Sequence, residues 1–233
     1  MMKKIALVVS CEHAVDSIPT PYQSLFVPFK DLLASHRGID FGALTIAEHL
    51  AKQVSCDFIQ ATTTRLLVDC NKSMSHPRCF SEVTRSLPPE EKQKILNLYY
   101  WPYRQQVMAS IKKHIEQGSQ VWHLSIHSFT PVLHDIVRNA DIGFLYDPQR
   151  PPEKTLARQW KKEIQKHPPE YKIRMNYPYK GVSDGFTSMM RKIYPSEAYV
   201  GIEVESNQAL TQNTQNLDNL KNILAISLLK LIC

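Results

Sequence analysis

Short clusters of polar residues interrupt this chain where runs of apolar residues end. Imidazole and carboxylate groups are costly to place beside an apolar sheet unless a ligand uses them. Open α/β sheets bind ligands at the carboxyl ends of their strands. The clusters are Ser-Cys-Glu-His at 10–13, Asp-Cys-Asn-Lys at 69–72, His-Ser-Phe-Thr-Pro at 127–131 and Gly-Ile-Glu-Val-Glu at 201–205. The pattern therefore predicts an α/β sheet with a ligand site at one end of its strands.

The other patterns predict one three-layer α/β/α domain over residues 1–233, with a mixed, mostly parallel central sheet, because strands alternate with helices. Apolar runs predict strands at 5–9, 57–61, 65–68, 121–126, 142–145, 171–175 and 198–204. Helical spacing predicts helices at 41–54, 88–117, 153–166, 184–193 and 214–232. Asp40 is the expected N-cap of the first helix, and Pro102 is expected to kink or divide the second.

Charge, cysteines and hydropathy restrict the partners and the compartment. The net charge is +6, but lysines and arginines are scattered, which indicates a solvated basic surface and no nucleic-acid partner. Five cysteines without a C-x-x-C pair argue against a disulfide framework. No apolar stretch is long enough to span a membrane, and residues 1–10 lack the features of a secretory signal. We expect a cytoplasmic protein without a membrane partner.

His13 and His127 are candidate metal ligands because both belong to the polar clusters that accompany predicted strands. A hydrolytic zinc takes three ligands from His, Asp and Glu, and keeps a fourth position for water. The third ligand is either Asp16, three residues after His13, or Asp40, which comes from a separate loop. His123 shares a strand face with His127 but lies about 13 Å away, too far to share one ion. This pattern predicts a metal-assisted hydrolase with one divalent ion.

Several segments resemble the N-formylglutamate amidohydrolase family. They are SCEHA at 10–14, HRGIDFGA at 36–43, TRLLVDCN at 64–71, IHSFTP at 126–131, NYPYKG at 176–181 and IEV at 202–204. The segments follow a consistent order over most of the chain. The resemblance implies the fold of the zinc-dependent exopeptidases and deacylases. It also implies hydrolysis of a small-molecule N-acyl amino acid, such as N-formylglutamate, at a carbon–nitrogen bond other than a peptide bond.

The resemblance further implies roles for individual residues. His13, Asp40 and His127 would hold a zinc ion, so the family match favours Asp40 over Asp16. Glu203 would act as the general base that takes a proton from the attacking water. Glu205 competes for this role because it lies on the same face of the predicted strand.

Contacts to the substrate are expected around residues 69–72 and at two arginines. Zinc carboxypeptidases and aspartoacylase use an Asp-x-Asn-Arg type of motif to help hold the substrate carboxylate, whereas this chain has lysine at the last position. Lysine keeps the positive charge but loses the bidentate fork that fits a carboxylate. The expected contacts are Arg65, Asn71, Lys72, Ser128 and Arg138.

Other functions fit some of the same residues. A carboxypeptidase-like enzyme on this fold would need a pocket for a free C-terminal carboxylate, and a binding protein would keep the fold without turnover. Tightly bound zinc would favour an enzyme over a binding protein. A nucleophilic pair of Cys11 and His13 would need unusual geometry, because the two residues lie only two apart at a strand end.

Overall fold

Eight strands form two sheets in the computed structural model, which describes residues 4–232. They are β1 (Ile5–Cys11), β2 (Asp57–Gln60), β3 (Gln120–Phe129), β4 (Val132–Leu133), β5 (Ile136–Val137), β6 (Ile142–Leu145), β7 (Ile173–Met175) and β8 (Tyr199–Asn207). The main sheet has the order β2-β1-β3-β8-β6-β7. Strands β2, β1, β3 and β8 are parallel, whereas β6 is antiparallel to β8. The predicted mixed, mostly parallel sheet is therefore confirmed.

Helices cover both faces of this sheet and complete the three predicted layers. They are α1 (Lys30–Leu33), α2 (Ala43–Val54), α3 (Pro89–Ile95), α4 (Trp101–Glu116), α5 (Pro151–Ile164), α6 (Phe186–Ile193), α7 (Gln208–Thr211) and α8 (Thr214–Ile232). Helices α2, α5 and α8 contribute to the core on one face, and α4 and α6 pack on the other. Each face has its own apolar core.

The central strands are apolar on one face and partly polar on the other. In β3, Trp122, Leu124 and Ile126 belong to the core beneath α2, α5 and α8. His123, Ser125 and His127 alternate with them and therefore point to the opposite face, where α4 and α6 lie. Residues of β1 and β8 continue the same alternation. The polar residues of three adjacent strands thus form one stripe beneath α4 and α6.

The long helix predicted for 88–117 is divided. α3 ends at Ile95, a π-helical turn spans Leu96–Tyr100, and α4 begins at Trp101. Pro102 occupies the first turn of α4, where its missing N–H costs little. The helix is therefore divided near Pro102, as expected, and the π-helical turn lies immediately before α4.

The predicted strand at 65–68 is wrong, because this segment forms turns. The backbone N–H of Leu67 donates to the carbonyl of Thr64 at 3.0 Å. The hydroxyls of Ser81 and Thr84 donate to the carbonyls of Leu66 and Leu67, which a neighbouring strand would otherwise do. The side chains of this short apolar run are buried in the core beside α4. Its hydrophobicity reports burial and not strand pairing.

Two further expectations concern the cysteines and the membrane. Cys11, Cys56, Cys70 and Cys79 are free thiols, and Cys233 lies outside the described residues. Among the helices within residues 4–232, none has the length and apolar character needed to cross a bilayer.

Candidate metal centre

His13, Asp40 and His127 come together at one end of the polar stripe. His13 follows β1, Asp40 precedes α2, and His127 lies within β3. One ligand atom from each residue lies within 4.8 Å of the others. The Nδ1 atoms of His13 and His127 lie 3.3 and 3.0 Å from the same oxygen, Asp40 Oδ2. All three residues are buried. This group could hold a metal ion.

A short loop delivers Asp40 to the histidines. Its backbone N–H donates to the carbonyl of His13 at 3.1 Å, which joins the two loops. Gly42 then turns the chain into α2 with a φ of 77°, a conformation that glycine adopts readily. The predicted role of Asp40 as the N-cap is wrong, because Gly42 occupies that position and the Asp40 carboxylate faces the histidines. The alternative acid, Asp16, is exposed and is not part of the group.

Each histidine has a carboxylate on the side away from Asp40. His13 Nε2 lies 2.8 Å from Asp69 Oδ1, and His127 Nε2 lies 3.3 Å from Glu12 Oε2. Such outer partners fix which ring nitrogen carries the proton and orient metal-binding histidines. Sequence reasoning missed both roles. Both acids do belong to polar clusters of the sequence, Glu12 to the one at 10–13 and Asp69 to the one at 69–72.

Two predicted substrate contacts, Arg65 and Ser128, contact Asp40. The Arg65 guanidinium donates to Asp40 Oδ1 at 3.2 Å and to Asp69 Oδ2 at 3.1 Å. The backbone N–H of Ser128 donates to Asp40 Oδ2 at 3.3 Å, and its hydroxyl accepts from Gln208 Nε2. In this geometry both residues orient the candidate ligand.

Charges at the centre keep two buried acids ionised. Burial alone would raise the pKa of Asp40, but His13 and His127 outweigh it and hold that pKa well below its usual range. Burial likewise opposes ionisation of Glu12, but hydrogen bonds from His127 and Tyr103 help to hold its pKa below the usual range. Asp40 is therefore a carboxylate, the form in which it could bind a cation.

The two candidate proton-transfer groups lie side by side in β8. The strand continues to Asn207, so both residues lie within it and not at its end. Glu203 pairs in register with Ser125, and Glu205 with His127. Glu203 Oε1 accepts a hydrogen bond from the Thr187 hydroxyl at 2.6 Å. Both glutamates belong to the face of the sheet that carries the centre.

Glu205 differs from Glu203 in its surroundings. Burial raises the pKa of Glu205 to about 7, and the charges of Asp40 and Glu203 add to the effect. Its Oε2 is buried without a hydrogen-bond partner among the described residues. Glu205 is therefore able to exchange a proton near neutral pH.

Asn71 and Lys72 lie in the segment that borders Glu203. Asn71 Oδ1 accepts from the first backbone N–H of α6 at 2.7 Å. Gly185 allows this approach, since a Cβ there would lie 3.2 Å from Asn71 Oδ1 and 3.3 Å from Glu203 Oε1. Lys72 Nζ donates to the carbonyl of Asp184 at 2.7 Å. Its ammonium group thus serves to dock the segment, whereas Asn71 lies beside Glu203.

Arg138 directly follows β5, and its side chain lies close to Tyr179. Its guanidinium donates to the Tyr179 hydroxyl at 3.1 Å and lies 5.0 Å from the centre of that ring. Burial and the charges of Arg37, Arg138 and Arg65 lower the pKa of His36. His36 belongs to the segment that leads to Asp40, so positive charge lies close to that segment.

The donor set fits a divalent metal ion. Two imidazole nitrogens and one carboxylate oxygen are the ligands that zinc takes in hydrolytic sites. The outer carboxylates orient both rings, as metal-binding histidines require. Three protein ligands also leave a position for water or substrate.

Comparisons with known proteins relate most of the chain to one family. The sequence profile of the N-formylglutamate amidohydrolase family matches residues 5–211, which include every residue of the centre. No curated protein shows significant similarity to the chain in sequence.

Two solved structures share the fold. A gene product of Agrobacterium tumefaciens gives a TM-score of 0.78 at 24% identity, covering 98% of this chain and 92% of that one. An N-formylglutamate amidohydrolase from Ralstonia eutropha gives 0.74 at 18% identity, covering 99% of this chain and 93% of that one. The resemblance predicted from sequence motifs is confirmed. The chain belongs to the N-formylglutamate amidohydrolase family and is a hydrolase that acts on a carbon–nitrogen bond other than a peptide bond.

Proposed function

We propose that this amidohydrolase removes the acyl group of an N-acyl amino acid, with N-formylglutamate as the first candidate, and that it uses one zinc ion. His13, Asp40 and His127 would hold the ion. The observation that carries the proposal is the convergence of two Nδ1 atoms on one oxygen of Asp40. When bound, zinc would polarise the scissile carbonyl and acidify water. The family match supports the class of reaction.

Glu203 is the proposed general base. Its carboxylate accepts a proton from the attacking water and passes it to the leaving amine. The Thr187 hydroxyl holds one of its oxygens, which leaves the other to meet water. Glu205 is the second candidate because its pKa lies near 7 and one of its oxygens has no partner within residues 4–232.

Arg138 is the proposed anchor for a substrate carboxylate. One of its five N–H groups donates to Tyr179, and a carboxylate can accept two others in the bidentate geometry that arginine favours. Arg65 is engaged by Asp40 and Asp69, so it contributes positive charge more than free donors. Asn71 and Ser128 would line the space between this anchor and Glu203, and Lys72 would add charge at its border.

Purified protein is expected to contain about one zinc ion per chain and to hydrolyse N-acyl amino acids. Elemental analysis measures the first, and release of a primary amine measures the second. The panel should contain N-formylglutamate, N-acetylglutamate, an N-formyl apolar amino acid and a dipeptide. Faster turnover of the dipeptide would replace the proposal with a carboxypeptidase-like activity. No turnover of any member by zinc-loaded protein would contradict it.

Replacing Arg138 with glutamine is expected to raise KM by one to two orders of magnitude, with a smaller change in kcat. The reason is that the variant loses a charge-assisted pair worth about 1.5–3 kcal/mol while the reacting groups stay in place. Arg174→Gln is the matched control, since Arg174 also stacks on a tyrosine but is exposed on β7. Equal KM values for the Arg138 variant and the unmodified protein would remove Arg138 from substrate binding.

A further inference from the structure

A buried carboxylate behind His127 has no part in the proposed reaction. The side chain of Glu12 is fully enclosed. Its Oε1 accepts from the hydroxyls of Ser10 at 2.8 Å and Tyr103 at 2.6 Å. Its Oε2 accepts from the Ser125 hydroxyl at 2.7 Å and lies 3.3 Å from His127 Nε2. Three hydroxyls thus donate to the Glu12 carboxylate, and the imidazole of His127 lies beside it.

The single hydroxyl proton of Ser125 decides the tautomer of His127. Because Ser125 donates that proton to Glu12, its oxygen can only accept from His127 Nε2, which lies 2.9 Å away. His127 must therefore carry a proton on Nε2. Its Nδ1, which lies beside Asp40, is the nitrogen that remains for a metal.

A second arm on the opposite side of Glu12 repeats this arrangement. Ser10 donates to Glu12 Oε1, so its oxygen accepts from His123 Nε2 at 2.9 Å. The other nitrogen of His123 then accepts from the Tyr199 hydroxyl at 2.8 Å. The pairing of β1 with β3 places Ser10 and Ser125 next to each other. Glu12 is consequently held between two serine–histidine pairs.

We propose that Glu12 is a positioning residue that, through Ser125, fixes the proton of His127 on Nε2 and commits Nδ1 to the metal. The arm through Ser10 and His123 keeps the Glu12 carboxylate in place. This role rests on the proposed function, because it concerns metal binding at His127. Outer partners of metal-binding histidines typically contribute 10- to 100-fold to metal affinity. A network with a purely structural role would affect unfolding and leave metal affinity and tautomer unchanged.

The first test uses the unmodified protein, labelled with ¹⁵N-histidine and loaded with zinc. Long-range ¹H–¹⁵N correlation distinguishes a protonated ring nitrogen from a metal-bound one, and the spectrum of the His127→Asn variant assigns the signals. The expected pattern for His127 is a proton on Nε2 and zinc on Nδ1. The reverse assignment would overturn the proposal, whatever the variants below show.

The second test measures zinc affinity by competition with a chromophoric chelator. Glu12→Gln keeps the side-chain shape but puts a donor where a hydroxyl must donate, so a 10- to 100-fold loss of affinity is expected. Ser125→Ala should lose zinc affinity severalfold. This variant provides the test if Glu12→Gln does not fold. Ser227→Ala is the matched control. It also removes a buried hydroxyl, but one that bonds to Trp160 beneath α8.

The outcomes separate this inference from the proposed function. Unmodified protein that takes up no zinc would refute the proposed function and, with it, the role of Glu12. Unmodified protein that binds zinc, together with folded Glu12 and Ser125 variants of equal affinity, would refute only the role of Glu12. Loss of affinity in the Ser227 control as large as in Ser125→Ala would also refute it, because general destabilisation would then explain the effect.

Discussion

Alanine in place of His127 should abolish stoichiometric zinc binding and hydrolysis while the protein stays folded. The substitution removes one of three ligands, and the Asp40 oxygen that both histidines approach keeps a single imidazole partner. Zinc sites of this kind need three protein ligands. Elemental analysis after gel filtration measures the retained metal, and circular dichroism checks the fold. His13→Ala should behave in the same way.

The two acids that compete for the third ligand position provide a matched pair of variants. Asp40→Asn removes a charge from the buried group, whereas Asp16→Asn removes one from the surface. Zinc affinity should fall strongly in the first variant and stay unchanged in the second. Full zinc content in the His13, His127 and Asp40 variants would rule out this centre as the metal site.

Glutamine in place of Glu203 should reduce kcat by a factor of about 10² to 10⁴, with zinc content unchanged. A positioned general base contributes on this order, which corresponds to about 2.7–5.4 kcal/mol in activation free energy. Glutamine keeps an oxygen for the Thr187 hydroxyl, so the local hydrogen bond can persist while the basicity is lost. Turnover is measured on the best substrate of the N-acyl panel.

Glu205→Gln is the control, and we expect a much smaller loss of turnover. Glu205 lies two residues further along the same strand face, about 6 to 7 Å from Glu203. A larger loss in Glu205→Gln than in Glu203→Gln would assign the role of general base to Glu205, which pairs in register with His127. Near-normal turnover in both variants would exclude both glutamates.

Local sequence patterns were sufficient to predict most of the fold. The apolar run of β1 and the helical spacing of α2 depend on neighbours close in sequence, and both elements form where they were predicted. Residues 65–68 were mistaken for a strand because a short buried run has no periodicity that separates strand from turn. The carbonyls of this segment accept hydrogen bonds from the hydroxyls of Ser81 and Thr84, which follow it by more than ten residues, and not from a neighbouring strand.

The centre was predictable only in part, for a similar reason. His13 and His127 follow or end predicted strands of one sheet, so their convergence was accessible from sequence. Residue spacing alone left Asp16 and Asp40 as alternatives, because the hydrogen bond that joins the segment of Asp40 to His13 links parts of the chain distant in sequence; only the family resemblance favoured Asp40. The role of Glu12 depends on the register of β1 against β3, which brings it next to Ser125 and remains unknown until the strands are paired.

The alternation of β3 restricts which changes in chain length the protein can tolerate. Deleting or inserting one residue between Val121 and Ser125 would turn His127 towards the helices of the opposite layer, since successive side chains point to opposite faces. Trp122, Leu124 and Ile126 would turn the other way, into the polar stripe. Related chains should therefore vary in length in the loops around the sheet. Within β3 they should differ only by an even number of residues, which keeps each side chain on its face of the sheet.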